Sequence, residues 1–341
     1  MATIKDVAER AGVSTATVSY VINKSRYVSD ERTERVLHAI KELEFAPSRR
    51  ARGLRKGSTS AIGVIIDDIT NRFASQFIRG LERSASEANY TTILSDLQRD
   101  PANEARSLSM LVEEEVDGIV YDGYGKAEDQ LIELFRGGLP VVVVDKPPKS
   151  TKLPSVLIDN RDSMYKCLEH LTGLGHREVL FITGLEFNRN TELRVKAFRE
   201  FMTDRNFPCP DDCVFFGDYT LEHGYETTLK IVAQGRSFSA LVCGDDLIAF
   251  AAIAALKSKS VRIPDDVAVV GFDDDPMSSL FDPSLTTIRY PMQEMGSEAF
   301  GLLSRYLSGR RKSPKQVILD TDLVVRRSTD AVYSDYHTRN N

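Results

Sequence analysis

Aspartates stand at or just beyond the ends of several short apolar runs: Asp67-Asp68 after Ile62–Ile66, Asp145 after Val141–Val144, Asp245-Asp246 after Ala240–Val242, and Asp273-Asp274-Asp275 after Val267–Val270. Carboxylates gathered from separate segments accept hydrogen bonds from a ligand rich in hydroxyls. Any one of them alone reads equally well as the N-cap of a following helix. Phe73, Tyr219 and Phe281 stand in loops, where a ring can stack on an apolar sugar or base face, although Phe281 reads better as core. A second group lies near the N-terminus. Thr15, Ala16, Ser19, Tyr20 and Asn23 share one helical face, opposite Val18, Val21 and Ile22. Short or planar side chains of this kind suit base edges in a major groove, whereas a merely solvated helix usually carries Glu and Lys.

Other chemistries find little footing. Lys56-Gly57-Ser58 lacks the upstream glycine of a phosphate loop, the five histidines show no ligand spacing, and no calcium-loop pattern occurs. Cys167, Cys209, Cys213 and Cys243 make no disulfide framework and read as buried free thiols. No catalytic residue, cofactor or metal is expected. A carbohydrate-acting enzyme remains the weaker alternative to a binding protein.

The elements that must position these groups follow from caps and periodicity. Thr3 and Asp6 form a capping box for a first helix carrying Val7, Ala8 and Ala11. Gly12 suits the left-handed residue of a tight turn, and Ser14 caps the second helix. Two short helices joined in this way are a helix-turn-helix. A third helix begins near Ser29-Asp30-Glu31 and is expected to bury Val36, Leu37, Ile40 and Leu43. Five of the eight residues from 49 to 56 are basic, with Ser48 as a cap and Gly57 as a stop. A helix this short is marginal in water, and Gly53 costs it roughly 1 kcal/mol against Ala, so it is expected to stay unfolded until something holds it.

From Ala61 onward, apolar runs alternate with helical patterns, the further runs being Thr91–Leu94, Gly118–Tyr121, Val179–Ile182 and Val214–Phe216. Strand-helix repetition gives parallel sheets covered on both faces. Eight such strands suit a barrel, but a polar break at Leu157–Arg161 favours two doubly wound lobes. The length of 341 residues agrees with about two domains and a small third. Net charge divides accordingly: residues 1–60 carry +5 and the remainder −11. A basic head on an acidic body points to a polyanion partner for the head alone. No apolar run is long enough to span a bilayer, and charges in Met1–Arg10 argue against an export signal, so a cytoplasmic protein with no membrane partner is expected.

The run Thr3-Ile4-Lys5-Asp6-Val7-Ala8, then Ala11-Gly12-Val13-Ser14, Thr17-Val18-Ser19 and Val21-Ile22-Asn23, resembles the N-terminal motif of the lactose-repressor (LacI/GalR) family of bacterial transcription regulators. Thr15 brings it nearest the purine- and ribose-repressor type of headpiece. The resemblance extends through the whole chain. It implies an α/β protein with an all-α helix-turn-helix headpiece (1–47), a hinge helix and linker (48–60), and two doubly wound lobes of the periplasmic-binding-protein type. The lobes would comprise 61–160 with 290–320, and 161–289 with 321–332, ahead of a disordered tail (333–341). Further crossings are implied near Ile288–Pro291 and Asp320–Asp322.

By the same resemblance, Thr15, Ala16 and Tyr20 set operator choice. Leu54 is the hinge leucine that meets its dimer mate in the minor groove, flanked by Arg49, Arg52, Arg55 and Lys56 on the backbone. Gly53 departs from the expected Ala or Ser. Arg194, in Arg194-Val195-Lys196-Ala197-Phe198, looks like the family's effector-gripping arginine, Asp273 like its hydroxyl-binding aspartate, and Asp245 stands where Asn is common. With Asp68, Phe73, Asp145 and Tyr219 they make up the expected effector site. Leu174-Gly175-His176-Arg177 also matches and reads as structural. The loop from Asn188 to Glu192 departs most from the purine type, so a sugar is preferred over a nucleoside or purine. The whole describes a ligand-responsive repressor that binds palindromic double-stranded operator DNA as a homodimer.

Overall fold

The computed structural model describes residues 2–23, 25–45, 58–310 and 313–330. Two compact units divide the chain at Ser60 and Ala61. In the first, α1 (Ile4–Ala11), α2 (Thr15–Asn23) and α3 (Asp30–Glu42) surround a small core of Val7, Ala8, Ala11, Val18, Val36 and Ala39. The capping box forms: Thr3 N donates to Asp6 Oδ2 at 2.7 Å and Asp6 N to Thr3 Oγ1 at 3.4 Å. Gly12 takes φ 63°, and its N–H reaches back to the last carbonyls of α1. A side chain there would be strained, which is why the turn uses glycine. Thr17 N donates to Ser14 Oγ at 3.1 Å, opening α2.

Leu37 departs from expectation and is 54% exposed. Val36, Ala39, Ile40 and Leu43 supply the inward stripe of α3. Leu37 lies about 100° round from Val36 and falls outside that stripe.

The second unit opens with β1 (Ala61–Ile66), α4 (Arg72–Glu87), β2 (Thr91–Asp96), α5 (Glu104–Glu113), β3 (Gly118–Tyr121), α6 (Glu128–Arg136), β4 (Val141–Val144) and β5 (Ser155–Ile158). It crosses into α7 (Asn160–Gly173), β6 (Val179–Ile182), α8 (Arg189–Asp204), β7 (Val214–Phe215), α9 (Leu221–Ala233), β8 (Ala240–Cys243), α10 (Asp246–Ser258), β9 (Ala268–Asp273), α11 (Pro276–Leu280) and β10 (Thr286–Arg289). The chain then returns through α12 (Met292–Leu307) and β11 (Gln316–Leu319), and ends on β12 (Asp322–Val324).

Two sheets result, in the orders β11-β5-β4-β3-β1-β2 and β12-β10-β9-β8-β6-β7. Neighbouring strands run parallel except β10 and β12. Strands β3, β4, β6 and β8 are buried along their whole length, as parallel strands covered by helices on both faces must be. Each lobe reverses its strand order beside its first strand, and the crevice at such a switch point, beyond the strands' carboxyl ends, is where open α/β sheets hold ligands. Among the described residues no helix is long and apolar enough to cross a membrane.

Candidate functional site

The carboxyl ends of β1 and β4 face those of β6, β8 and β9 across a cleft partly open to solvent. Asp68, Phe73, Asp145, Arg194, Tyr219, Asp245 and Asp273 all line it. So do Asn188 and Asn190, from the loop that departs from the purine type, and Arg99, Tyr124, Lys146 and Tyr290, which sequence reasoning did not single out.

Arg194 projects from the first turns of α8 into the floor. Its Nε donates to Asn160 Oδ1 at 2.8 Å, its Nη1 to the Gly244 carbonyl at 3.0 Å, and its Cζ lies 3.6 Å from the centroid of the Phe272 ring. Asn160 is oriented in turn, donating through Nδ2 to Asn190 Oδ1 at 3.0 Å. A guanidinium held through Nε and Nη1 and covered on one face keeps its geometry while its remaining donors serve a ligand. Asp245 caps α10, accepting from Ile248 N at 2.7 Å. Burial nevertheless pushes its carboxyl up to about 7.

Asp273 ends β9 with φ 117°. Burial drives its carboxyl well above the usual range, the nearby Asp245 and Asp246 adding to the effect and Arg194 opposing it. Arg99, Asp145 and Tyr219 also have positive φ, at 59°, 63° and 61°. Non-glycine residues adopt such backbone only where the surroundings enforce it, and such strain gathers at ligand sites. The ring of Tyr219 lies where a Cβ on Gly184 would come within 1.7 Å, so only glycine admits it, and its hydroxyl meets Thr191 Oγ1 at 2.8 Å.

Asp67 and Asp68 both line the cleft, but tertiary packing separates the aspartates at the ends of β8 and β9. Asp245 and Asp273 line the cleft, but Asp246 accepts from Ser278 Oγ and Thr287 Oγ1, each at 2.6 Å, and from Asp275 N at 2.7 Å. Burial lifts Asp246 to about 6. Asp274 pairs with Arg289 at 2.8 Å and Arg326 at 2.6 Å. Asp275 caps α11 through Met277 N. Phe281 packs at a tilt against Phe250, 4.6 Å between centroids, on the core and not as a cleft wall.

On the first lobe, Lys146 is buried among three carboxylates, Asp122, Asp67 at 3.1 Å and Asp145 at 3.3 Å. Burial works against its charge, yet these acids hold its pKa well above the usual lysine value. Tyr290 donates its hydroxyl to Asp145 Oδ1. Burial also favours protonation of Asp68, but Thr70 N and Oγ1, at 2.9 and 2.6 Å, and Arg99 Nε, at 2.5 Å, hold its carboxyl below the usual range. Lys146 and Asp122 escaped sequence reasoning although each lies within two residues of a strand end, the same signal that picked out Asp145.

In the first unit, α2 turns Ala16 outward and leaves Thr15, Ser19 and Tyr20 half-buried. Arg26 sits with its Cζ 5.4 Å from the Tyr20 ring centroid. Asn23 closes α2. Arg49, Arg52, Leu54, Arg55 and Lys56 lie outside the described residues.

Comparison with known proteins matches residues 3–48 to the bacterial regulatory proteins of the lacI family and residues 168–329 to the periplasmic binding protein-like domain. The HTH-type transcriptional repressor PurR of Klebsiella pneumoniae (strain 342) is 34% identical over 341 residues, spanning 98% of this chain and 99% of the relative. The Lac repressor dimer bound to operator and the anti-inducer ONPF has a TM-score of 0.86 at 25% identity, over 96% of this chain and 99% of the other. The complex of transcriptional regulator CelR with cellobiose gives 0.73 at 27%, over 96% and 100%. These are named repressors and regulators, not enzymes. The likeness runs from the helix-turn-helix through both lobes, and the chain therefore belongs to the lacI family of bacterial regulatory proteins, as a DNA-binding transcriptional repressor.

Proposed function

We propose that a sugar or a related small polyhydroxylated molecule binds in the interlobe cleft and controls the repressor's hold on a palindromic operator. The observation that carries this reading is the convergence of the Arg194 fork with the Asp245 and Asp273 carboxylates beside the rings of Phe73 and Tyr219. Hydroxyls both donate and accept, so carboxylates and a guanidinium serve them together while a ring covers the apolar face of the sugar. The likeness to a regulator solved with cellobiose supports the same class. A nucleobase is the second reading, favoured by identity with repressors named PurR and by the same flat rings.

The repressor acts as a homodimer on its operator in the cytoplasm, with Thr15, Ala16, Ser19, Tyr20 and Asn23 on base edges and the basic hinge segment on the backbone. Two observations support the dimer. A structural relative was solved as a dimer on operator, and the second lobe exposes Leu221, Leu247, Met277 and Leu280, the last at 76%. A thermal-shift screen of sugars, sugar phosphates, nucleosides and purines tests the effector class, since a ligand at 100 times its Kd adds about 2.7 kcal/mol to stability. Stabilisation by purines alone would replace the sugar with the second reading.

A further inference from the structure

Cys209 and Cys213 bracket the turn Pro210-Asp211-Asp212 that carries the chain from α8 into β7. Their sulfurs are 3.2 Å apart and both thiols are free. The turn is held from two sides. Arg199 on α8 donates Nη2 to the Asp211 carbonyl at 3.0 Å, and Arg236 donates Nη1 to the Asp212 carbonyl at 2.8 Å and Nη2 to Asp212 Oδ1 at 3.0 Å. Cys213 N closes it on the Pro210 carbonyl at 3.0 Å. The sulfurs therefore face each other across a short, pinned loop, about 1 Å of approach from bonding distance. Cys213 is 1% exposed, whereas Cys209 is partly open to solvent. Cys167 and Cys243 are buried elsewhere in the lobe, without a sulfur partner among the described residues.

We propose that Cys209 and Cys213 are a redox-modification site, closing an intramolecular disulfide when the chain meets a hydroperoxide. Cys209, the accessible sulfur, attacks one peroxide oxygen as the thiolate. The O–O bond breaks, the departing oxygen takes up a proton and leaves as water or alcohol, and Cys209 becomes a sulfenic acid. The sulfur of Cys213 then attacks that of Cys209; the S–S bond forms as the S–O bond breaks, and the released hydroxide takes the Cys213 proton and leaves as water. Two electrons pass from the two sulfurs to one peroxide. Burial pushes the Cys213 thiol up to about 12, which fits the second, resolving role and not the first. Reversible disulfides of this kind are the sort that reducing compartments tolerate.

The test uses the full chain, treated with hydrogen peroxide, denatured in N-ethylmaleimide and digested by trypsin without reductant. Residues 206–230 form one tryptic peptide carrying both cysteines. That peptide is expected without maleimide and about 2 Da lighter than its dithiol form, restored by dithiothreitol, while Cys167 and Cys243 are fully alkylated. Cys213→Ser is expected to stall at a sulfenic acid on Cys209 that dimedone traps. Cys209→Ser is expected to lose thiols at least tenfold more slowly. Two maleimides on the peroxide-treated peptide, prior oxidation of Cys167 or Cys243, a link between two chains, or undiminished oxidation of Cys209→Ser would each overturn the proposal.

Discussion

Arg72, in the first turn of α4 on one lobe, pairs at 2.8 Å with Asp275, the N-cap of α11 on the other. Arg99 reaches across as well, its Nη1 3.5 Å from the Asp218 carbonyl. Contacts that join two lobes exist only while the lobes keep this arrangement, so they weight it against any other. The Arg72 side chain is 41% exposed, which limits such a pair to about 0.2–1 kcal/mol. Arg72→Ala is expected to weaken effector binding by up to about fivefold in low salt and by less in high salt. Calorimetry at the two salt concentrations checks this, and equal affinities in low salt would show that the pair carries no weight.

Arg194→Ala is expected to lower effector affinity by about ten- to a hundredfold, the range of a lost charge-assisted hydrogen bond, and Asp273→Asn, where burial favours the neutral carboxyl, by up to about tenfold, both leaving operator affinity within about twofold. Wild-type effector affinity in both variants would remove these residues from the site.

The acids of β8 and α10 make stability depend on pH. The Asp245 and Asp246 carboxyls ionise at about 7 and about 6 in the folded chain, against an ordinary 3.8. Between about pH 4 and 7 the folded state thus holds protons that the unfolded state has lost, and stability from these groups, complete below pH 4, drains away as pH rises to 7. Asp245→Asn keeps an oxygen for Ile248 N and has no proton to lose. Its Tm is expected to fall less steeply from pH 5 to pH 7.5 than that of the wild type. Parallel Tm curves would reject the assignment.

Tyr20→Arg is expected to change the preferred operator, because a side chain at a base edge discriminates by about 1–3 kcal/mol. Arg50→Ala, at one of the five basic residues of the hinge segment 49–56, is expected to weaken all sequences alike and reduce the salt slope by about one. Selections from a randomised DNA pool separate the two effects, and an unchanged site for Tyr20→Arg would mean that α2 does not read the bases.

At the hinge, Leu54→Ala is expected to weaken binding and erase preference at the central step of the operator, where a pyrimidine-purine step unstacks most cheaply. Gly53→Ala is expected to tighten binding by raising helix propensity. Titrations against operators that differ only at that step check both. Weaker binding by Gly53→Ala would mean that the glycine is needed for close approach.

The first unit was legible because its information is local. Thr3 with Asp6, Gly12, Ser14 and the apolar spacing of α1 and α2 act within one or two turns of chain, where caps and periodicity operate. Even there, the 3.6-residue period left the edge of the stripe open, and packing exposed Leu37 in favour of Ala39. In the body, strand-helix alternation determined that sheets would be parallel and that residues such as Asp145, Asp245 and Asp273 would stand at carboxyl ends. Strands β5, β10, β11 and β12 were less legible; β11 and β12 lie at the sheet edges and are mostly exposed, so they lack the long apolar run of a strand covered on both faces. At the ends of β8 and β9 the family resemblance pointed to Asp245 and Asp273, but no local pattern distinguishes them from their neighbours, and tertiary packing is what brings these two to the cleft. Asp246 and Asp274 differ from Asp245 and Asp273 only in what packs beside them: Ser278 and Thr287 in one case, Arg289 and Arg326 in the other. The ring of acids around Lys146 is of the same kind. Three separate strand ends supply Asp67, Asp122 and Asp145, and a buried ammonium keeps its charge only where folding brings them together, which no local stretch of sequence can specify.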